Sequence, residues 1–116
     1  MKDTNKTLKQ MQAILLKHMQ GPTPNKSKRI NYNPKNWGPP AWQFLNKIAE
    51  GYPVKPTKHD KEKLLDFLYS LGHMLPCATC RENYIDFTQK NPPINAVASR
   101  KKIINWFKKL RNKTNG

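Results

Sequence analysis

Acidic residues are scarce in this chain. Seven Asp and Glu stand against 22 Lys and Arg, for a net charge of +15. A surface so one-sided attracts nucleic acid, anionic lipid or an acidic protein face. No run of about 18 apolar residues is present, which excludes a transmembrane helix. The first 20 residues lack the apolar central block of a secretory signal, so a cleaved signal is not expected. Apolar residues make up only 36% of the chain, so its core must be small. No alternating run of β-branched residues points to a sheet. With only two cysteines, the chain is no disulfide-rich scaffold.

What is present is helical periodicity. The 116 residues suit one domain with an arm. Asp3 or Thr4 can cap a first helix in which Leu8, Met11, Ile14, Leu15, His18 and Met19 recur at helical spacing. Gly21-Pro22-Thr23-Pro24 ends it, and residues 21–36 read as an extended linker. Residues 1–36 are therefore expected to be a basic arm outside the core, and 37–116 the domain. A second helix is predicted to begin near Pro39-Pro40, with Trp42, Leu45, Ile48, Ala49 and Tyr52 facing inward. A third covers about 58–74, striped by Leu64, Leu65, Phe67, Leu68 and Leu71. A fourth starts at or near Cys77 and carries Tyr84, Ile85 and Phe87. Ser99 can cap a fifth, with Ile103, Ile104, Phe107 and Leu110 inward. The fold class is all-α, an antiparallel four-helix bundle with an additional N-terminal helix.

The basic excess sits at both ends. Residues 91–116 hold Arg100, Lys101, Lys102, Lys108, Lys109, Arg111 and Lys113 and no acid, and residues 1–36 hold eight basic residues and only Asp3. Such ends can dock a polyanion or an acidic protein, or simply form a solvated surface.

The chemistry concentrates in "LPCATC", residues 75–80. A C-x-x-C in a helix's first turn can close a small disulfide ring. Exposed amide groups and the helix dipole there favour thiolate on the first sulfur, and Arg81 pushes the same way. Zinc wants about four ligands, and only His73 stands near, so no metal site is expected. A thioredoxin-like fold would need β-α-β patterning that is missing. Two inert buried thiols are the plain alternative. Trp37, Trp42 and Trp106 can all be core anchors. A redox dithiol, by contrast, needs an electron sink, which suggests a cofactor.

The pieces also occur in a known order. "NPKNWGPPAWQFLNKIAEGYP" (33–53), then "LPCATC" (75–80), then "INWFKKLRNKTN" (104–115) together resemble the Erv/ALR family of FAD-linked sulfhydryl oxidases. The family pattern is W-G-x-x-x-W, a helix running to Tyr-Pro, Pro-C-x-x-C, and a tryptophan-bearing helix ending in H-N-x-V-N. The resemblance implies a bundle that holds FAD beside the C-x-x-C disulfide and oxidises thiols of partner proteins, with molecular oxygen reduced to hydrogen peroxide. Cys77 would be the catalytic interchange thiol and Cys80 the one facing the flavin. Gly38, Trp42, Asn46, Trp106, Arg111, Asn112 and Asn115 would bind FAD. The chain departs from the pattern at Pro39, where an Arg is usual, at Asn46 and Arg111, where His is usual, and at Thr114, where Val is usual. The arm has no second cysteine pair, so a dithiol protein substrate is expected to reach Cys77 directly. The short viral members offer the nearest analogy, implying a virion or host cytoplasm, with the mitochondrial intermembrane space as the alternative. A homodimer through helix faces is also implied. The changed pocket residues leave a second reading: a redox-impaired structural or virion-associated binding protein on the same scaffold, using its basic surface.

Overall fold

A computed structural model describes residues 9–17 and 28–115, with side chains to 114. The proposed caps Asp3 and Thr4, along with His18, Met19, the turn at 21–24 and the Asn115 side chain, lie outside the described residues. Within them the chain is helical: α1 (9–17), α2 (Pro34–Gly51), α3 (Lys58–Met74), α4 (Ala78–Lys90), a 3-10 turn (Ala96–Ala98) and α5 (Arg100–Asn115). The all-α bundle with an additional N-terminal helix is the architecture observed.

Helix α2 starts five residues earlier than the paired prolines suggest. The Asn33 side chain accepts from the Lys35 amide at 3.0 Å, and Pro34 takes the first helical position, where its missing N–H costs nothing. The helix then runs through Pro39 and Pro40, both solvent-exposed. Neither ring has an N–H to return to the preceding turn, which is the local cost of the longer helix. Tyr52 closes α2. Its amide donates to the Ala49 carbonyl at 3.2 Å and its hydroxyl to the Val97 carbonyl at 2.6 Å, while Arg100 Nε donates to its carbonyl at 2.6 Å. The loop before α5 is thereby tied to the end of α2. Burial pushes the Tyr52 phenol up to about 12, with Asp60 adding to the effect.

A reciprocal cap starts α3. The Thr57 amide donates to the Asp60 carboxylate at 2.8 Å, and the Asp60 amide donates to the Thr57 hydroxyl oxygen at 3.1 Å. The backbone bond from Thr57, then its side chain, hold the Asp60 carboxyl below its usual range. At α5 the Ser99 hydroxyl oxygen accepts from the Lys102 amide at 3.2 Å, the cap expected from the sequence.

The core is built from Leu45, Leu65, Leu68, Phe87, Ile103 and Phe107, with Val97 sealing it from the 3-10 turn. The arm also contributes. Met11 is buried, Ile14 and Leu15 pack beside it, and Lys17 pairs with Asp66 of α3 at 3.3 Å. The expectation that residues 1–36 lie wholly outside the core therefore fails at Met11, because α1 has an apolar face that must be covered.

Helix α3 meets α4 closely at Gly72, which is buried against the Tyr84 ring. A Cβ at that position would lie 2.6 Å from Tyr84 Cδ1 and 3.3 Å from Ile85 Cγ1. The Tyr84 hydroxyl donates to the Leu68 carbonyl, so the ring is held at both ends. Burial drives the Tyr84 phenol far above its ordinary range, with Tyr69 adding to the effect. Gly72→Ala should therefore destabilise the protein by about 1–2 kcal/mol: overpacking costs more than the helix propensity gained. Denaturant unfolding checks this, and an unchanged or raised midpoint would contradict the close contact.

Candidate functional site

Cys77 and Cys80 form a disulfide across the first turn of α4, with Cα atoms 5.1 Å apart. Cys77 is the N-cap residue, and its Sγ accepts from the Cys80 amide at 3.2 Å. Pro76 directly precedes it, which keeps the approaching chain extended. Both cysteines are half-buried. Cys80 shares one face of α4 with Tyr84 and Phe87, at steps of four and three residues, and both aromatics are buried. Cys77 sits at the end of the helix, before that face begins. The two sulfurs thus have different surroundings: one at the helix tip, the other leading into the core.

The loop carrying the disulfide is fastened from both sides. Arg81 donates to the Leu75 carbonyl at 2.6 Å. From the other side comes a strap, residues 29–32. The Arg29 guanidinium donates to the His73 carbonyl, Asn31 Oδ1 accepts from the Ala78 amide at 2.9 Å, and the Tyr32 amide donates to the Pro76 carbonyl at 2.8 Å. Trp37 Nε1 returns to the Tyr32 carbonyl at 3.1 Å, joining the strap to α2. Sequence reasoning read this stretch as linker and missed it. The available signal was the row of Asn residues at 31, 33 and 36, side chains that bond to backbone amides outside regular structure.

A second group forms where α2 packs on α5. Gly38, Trp42 and Asn46 follow one another at four-residue steps and are all half-buried, so they share a side of α2. The Trp42 indole meets Phe107 edge-on, with ring centroids 6.4 Å apart, and the Arg111 guanidinium lies over it at 5.7 Å. A Cβ added at Gly38 would meet nothing within 4 Å, so the space beside it is open. Trp106 lies inside the core, between Tyr84 at 6.3 Å, Phe87 at 5.2 Å and Phe107 at 5.7 Å, and its Nε1 donates to the Asn91 carbonyl at 2.9 Å. A run of touching aromatics, Tyr84, Trp106, Phe107 and Trp42, thus leads from the Cys80 face of α4 to the α2–α5 face.

Asn112 lies elsewhere. It lines an open groove of about 380 Å³ with Phe87, Lys90, Asn91, Lys109 and Lys113. This groove is at the far end of α4 from the disulfide, roughly 15–20 Å along the helix. Of the residues expected at a cofactor, it contains Asn112 alone. Its character is basic, although Lys90 also pairs with Asp86 at 3.1 Å. Thr114 turns its hydroxyl back to the Leu110 carbonyl at 3.1 Å. Among the described residues, no group of three or more His, Cys, Asp or Glu comes together that could hold a metal ion.

Comparisons with known proteins find a family and a fold. Residues 39–116 match the Erv1 / Alr family. The chain is 37% identical over 84 residues to a probable FAD-linked sulfhydryl oxidase of Acanthamoeba polyphaga mimivirus, covering 72% of this chain and 59% of that protein. It is 28% identical over 86 residues to a putative FAD-linked sulfhydryl oxidase of Invertebrate iridescent virus 3, covering 74% and 58%. It thus spans under two thirds of the length of these viral relatives. The fold superposes on the crystal structure of the yeast Erv1 core with a TM-score of 0.68, at 28% identity over 84% of this chain and 80% of that one.

If Trp42 anchors α2 on α5, Trp42→Ala should cost about 3 kcal/mol of stability, since a large aromatic leaves a cavity. A loss well under about 1 kcal/mol in chemical denaturation would show that Phe107 and Arg111 hold the two helices together without it.

Proposed function

The chain belongs to the Erv1 / Alr family, and from that premise we propose that it is a FAD-linked thiol oxidase that forms disulfides in a partner protein. The observation that carries this reading is the Cys77–Cys80 disulfide, closed at the N-terminus of α4 within the family's fold.

The residues present suit FAD. Its flat ring system needs an apolar face, its hydroxyls need neutral hydrogen-bonding groups, and its two phosphates need cations. The α2–α5 face offers the Trp42 indole, the Asn46 amide and the Arg111 guanidinium, with open space at Gly38. Trp106 would back the pocket from the core, while Asn112, which lines the separate groove, and Asn115 are assigned to the cofactor by the family resemblance alone. Arg111, where the family has histidine, can stack on a ring and donate to a phosphate, although it offers no acceptor. When bound, FAD supplies the acceptor for the dithiol's electron pair and the route from there to oxygen.

The chain's own residues carry the thiol half of the reaction. A substrate thiolate attacks the Cys77 sulfur, forming a mixed disulfide and releasing Cys80 as thiolate. A second substrate thiol then attacks the substrate's own sulfur. The substrate disulfide closes, Cys77 leaves as thiolate, and the pair is reduced by two electrons. The helix N-terminus favours the Cys77 thiolate, because the dipole places positive charge there and the Cys80 amide already donates to the Cys77 sulfur. The position of Cys77 at the tip suits it to meet the partner, and the position of Cys80 on the aromatic face suits it to pass electrons inward. The partner is a dithiol protein, and the acceptor is molecular oxygen.

Exposed Phe44 on α2 supports a homodimer through a helix face. The basic groove, and the exposed Lys101, Lys102, Lys108 and Lys109 of α5, support contact with a polyanion or acidic protein surface. No described helix is long and apolar enough to cross a membrane. The viral relatives favour a virion or host-cytoplasmic setting over the mitochondrial one. The basic groove also favours a second reading, a binding protein on the same scaffold with impaired redox activity.

Oxygen uptake driven by a small dithiol tests the choice. Wild type should turn over. Cys80→Ser should fall to background while still binding FAD, and Cys77→Ser should no longer accept electrons from protein thiols. Turnover retained by Cys80→Ser would overturn the assigned role.

A further inference from the structure

The strap across the disulfide loop does more than fill surface. Asn31 is exposed, yet its Oδ1 accepts from the Ala78 amide, the first N–H of α4, at 2.9 Å. The bonds on either side of it, from Arg29 to the His73 carbonyl and from Tyr32 to the Pro76 carbonyl, place it there as part of a three-point attachment. All three attachments fall on residues 73–78, the segment that turns from α3 into the disulfide. The first-turn donors are thus divided. The Cys80 amide goes to the Cys77 sulfur and the Ala78 amide to Asn31.

We propose that Asn31 is a positioning residue for Cys77: a neutral acceptor, held by the 29–32 strap, that fixes the tip of α4 and keeps negative charge away from the Cys77 sulfur, which must leave as a thiolate. An aspartate is an equally good acceptor for a helix amide. Here, however, its charge would stand one peptide unit from a sulfur that must become a thiolate, and like charge at that range disfavours ionisation. An amide satisfies the N–H without that conflict. The inference deepens the oxidase reading and rests on Cys77 being the thiol that meets the partner.

Other charged groups around the loop are Arg29 on the strap, His73 at the end of α3, and Arg81 and Glu82 on α4. All stay constant when only residue 31 changes. Asn31→Asp keeps the hydrogen bond and the shape and alters only the charge. A purely structural role for Asn31 would leave this variant unchanged.

The test needs no turnover. Full-length protein is reduced, and the rate of Cys77 alkylation by iodoacetamide is followed across pH. In parallel the chain is equilibrated with glutathione: two glutathione thiols become one glutathione disulfide as the Cys77–Cys80 bond takes up two electrons and two protons. Asn31→Asp should slow alkylation near neutral pH by about three- to tenfold and shift its pH midpoint upward. It should move the glutathione equilibrium toward the protein disulfide by a similar factor, a tenfold change being about 30 mV. Gln89→Glu, the same charge change near the other end of α4, should match wild type within about twofold. Asn31→Asp behaving like Gln89→Glu in both assays would overturn the proposal. A wild-type protein that consumes no oxygen, beside an Asn31→Asp variant that shifts as expected, would sink the oxidase reading and leave this one standing.

Discussion

Tyr84 lies on Gly72 so closely that no side chain fits between α3 and α4, and this contact decides where the reactive sulfurs stand. Cys80 is one turn before Tyr84 on the same face. Any slide of α4 along α3 would have to move a ring pinned to the Leu68 carbonyl and packed against Trp106. The disulfide therefore inherits its position from a buried aromatic, although it lies nearer the surface. Packed interiors resist such displacement because every shift opens a void or forces an overlap.

From that anchor two fastenings reach the solvent side. Arg81 ties the incoming loop from within α4, and the 29–32 strap ties it from the chain N-terminal to α2. A C-x-x-C that must alternate between dithiol and disulfide needs its loop held in both states, and backbone carbonyls are suitable holding points because they do not change with redox state. The basic groove belongs to a different part of the molecule. Cations crowd α5 and this groove beside Lys90 and Lys109, while Arg29 and Arg81 stand at the disulfide loop. The disulfide and this basic groove thus stand at opposite ends of α4.

Much of this was legible in the sequence. Apolar residues at helical spacing marked α3 and α5 closely, and Ser99 capped α5 where a short polar side chain before an apolar run should, while the Thr57 cap of α3 was seen only in the structure. The C-x-x-C pointed to a disulfide in a helix's first turn, with inert buried thiols as the alternative, and the pair is closed there. Other features were hidden for identifiable reasons. The start of α2 was obscured because Pro39-Pro40 looked like a boundary, while Asn33 and Pro34 formed a better one. Met11 was assigned to an arm because whether an amphipathic helix docks depends on a complementary face, which periodicity does not reveal. Gly72 looked like any helical glycine until the Tyr84 ring appeared beside it. Asn31 acts 47 residues from its partner in sequence, and no local pattern encodes such a bond. Periodicity put Trp42 on the inward side of α2, whereas Gly38 and Asn46 beside it were singled out only by resemblance, since a glycine and an asparagine leave no apolar stripe to read.

The central claim is that the α2–α5 face and the Cys77–Cys80 disulfide belong to one flavin-linked centre. The visible absorption spectrum of the purified full-length protein tests it most directly. The account predicts a yellow protein with the bands of bound oxidised flavin, bleached when a dithiol is added without oxygen. A colourless protein that takes up no FAD on titration, with Cys77 and Cys80 still cycling between thiol and disulfide, would contradict it.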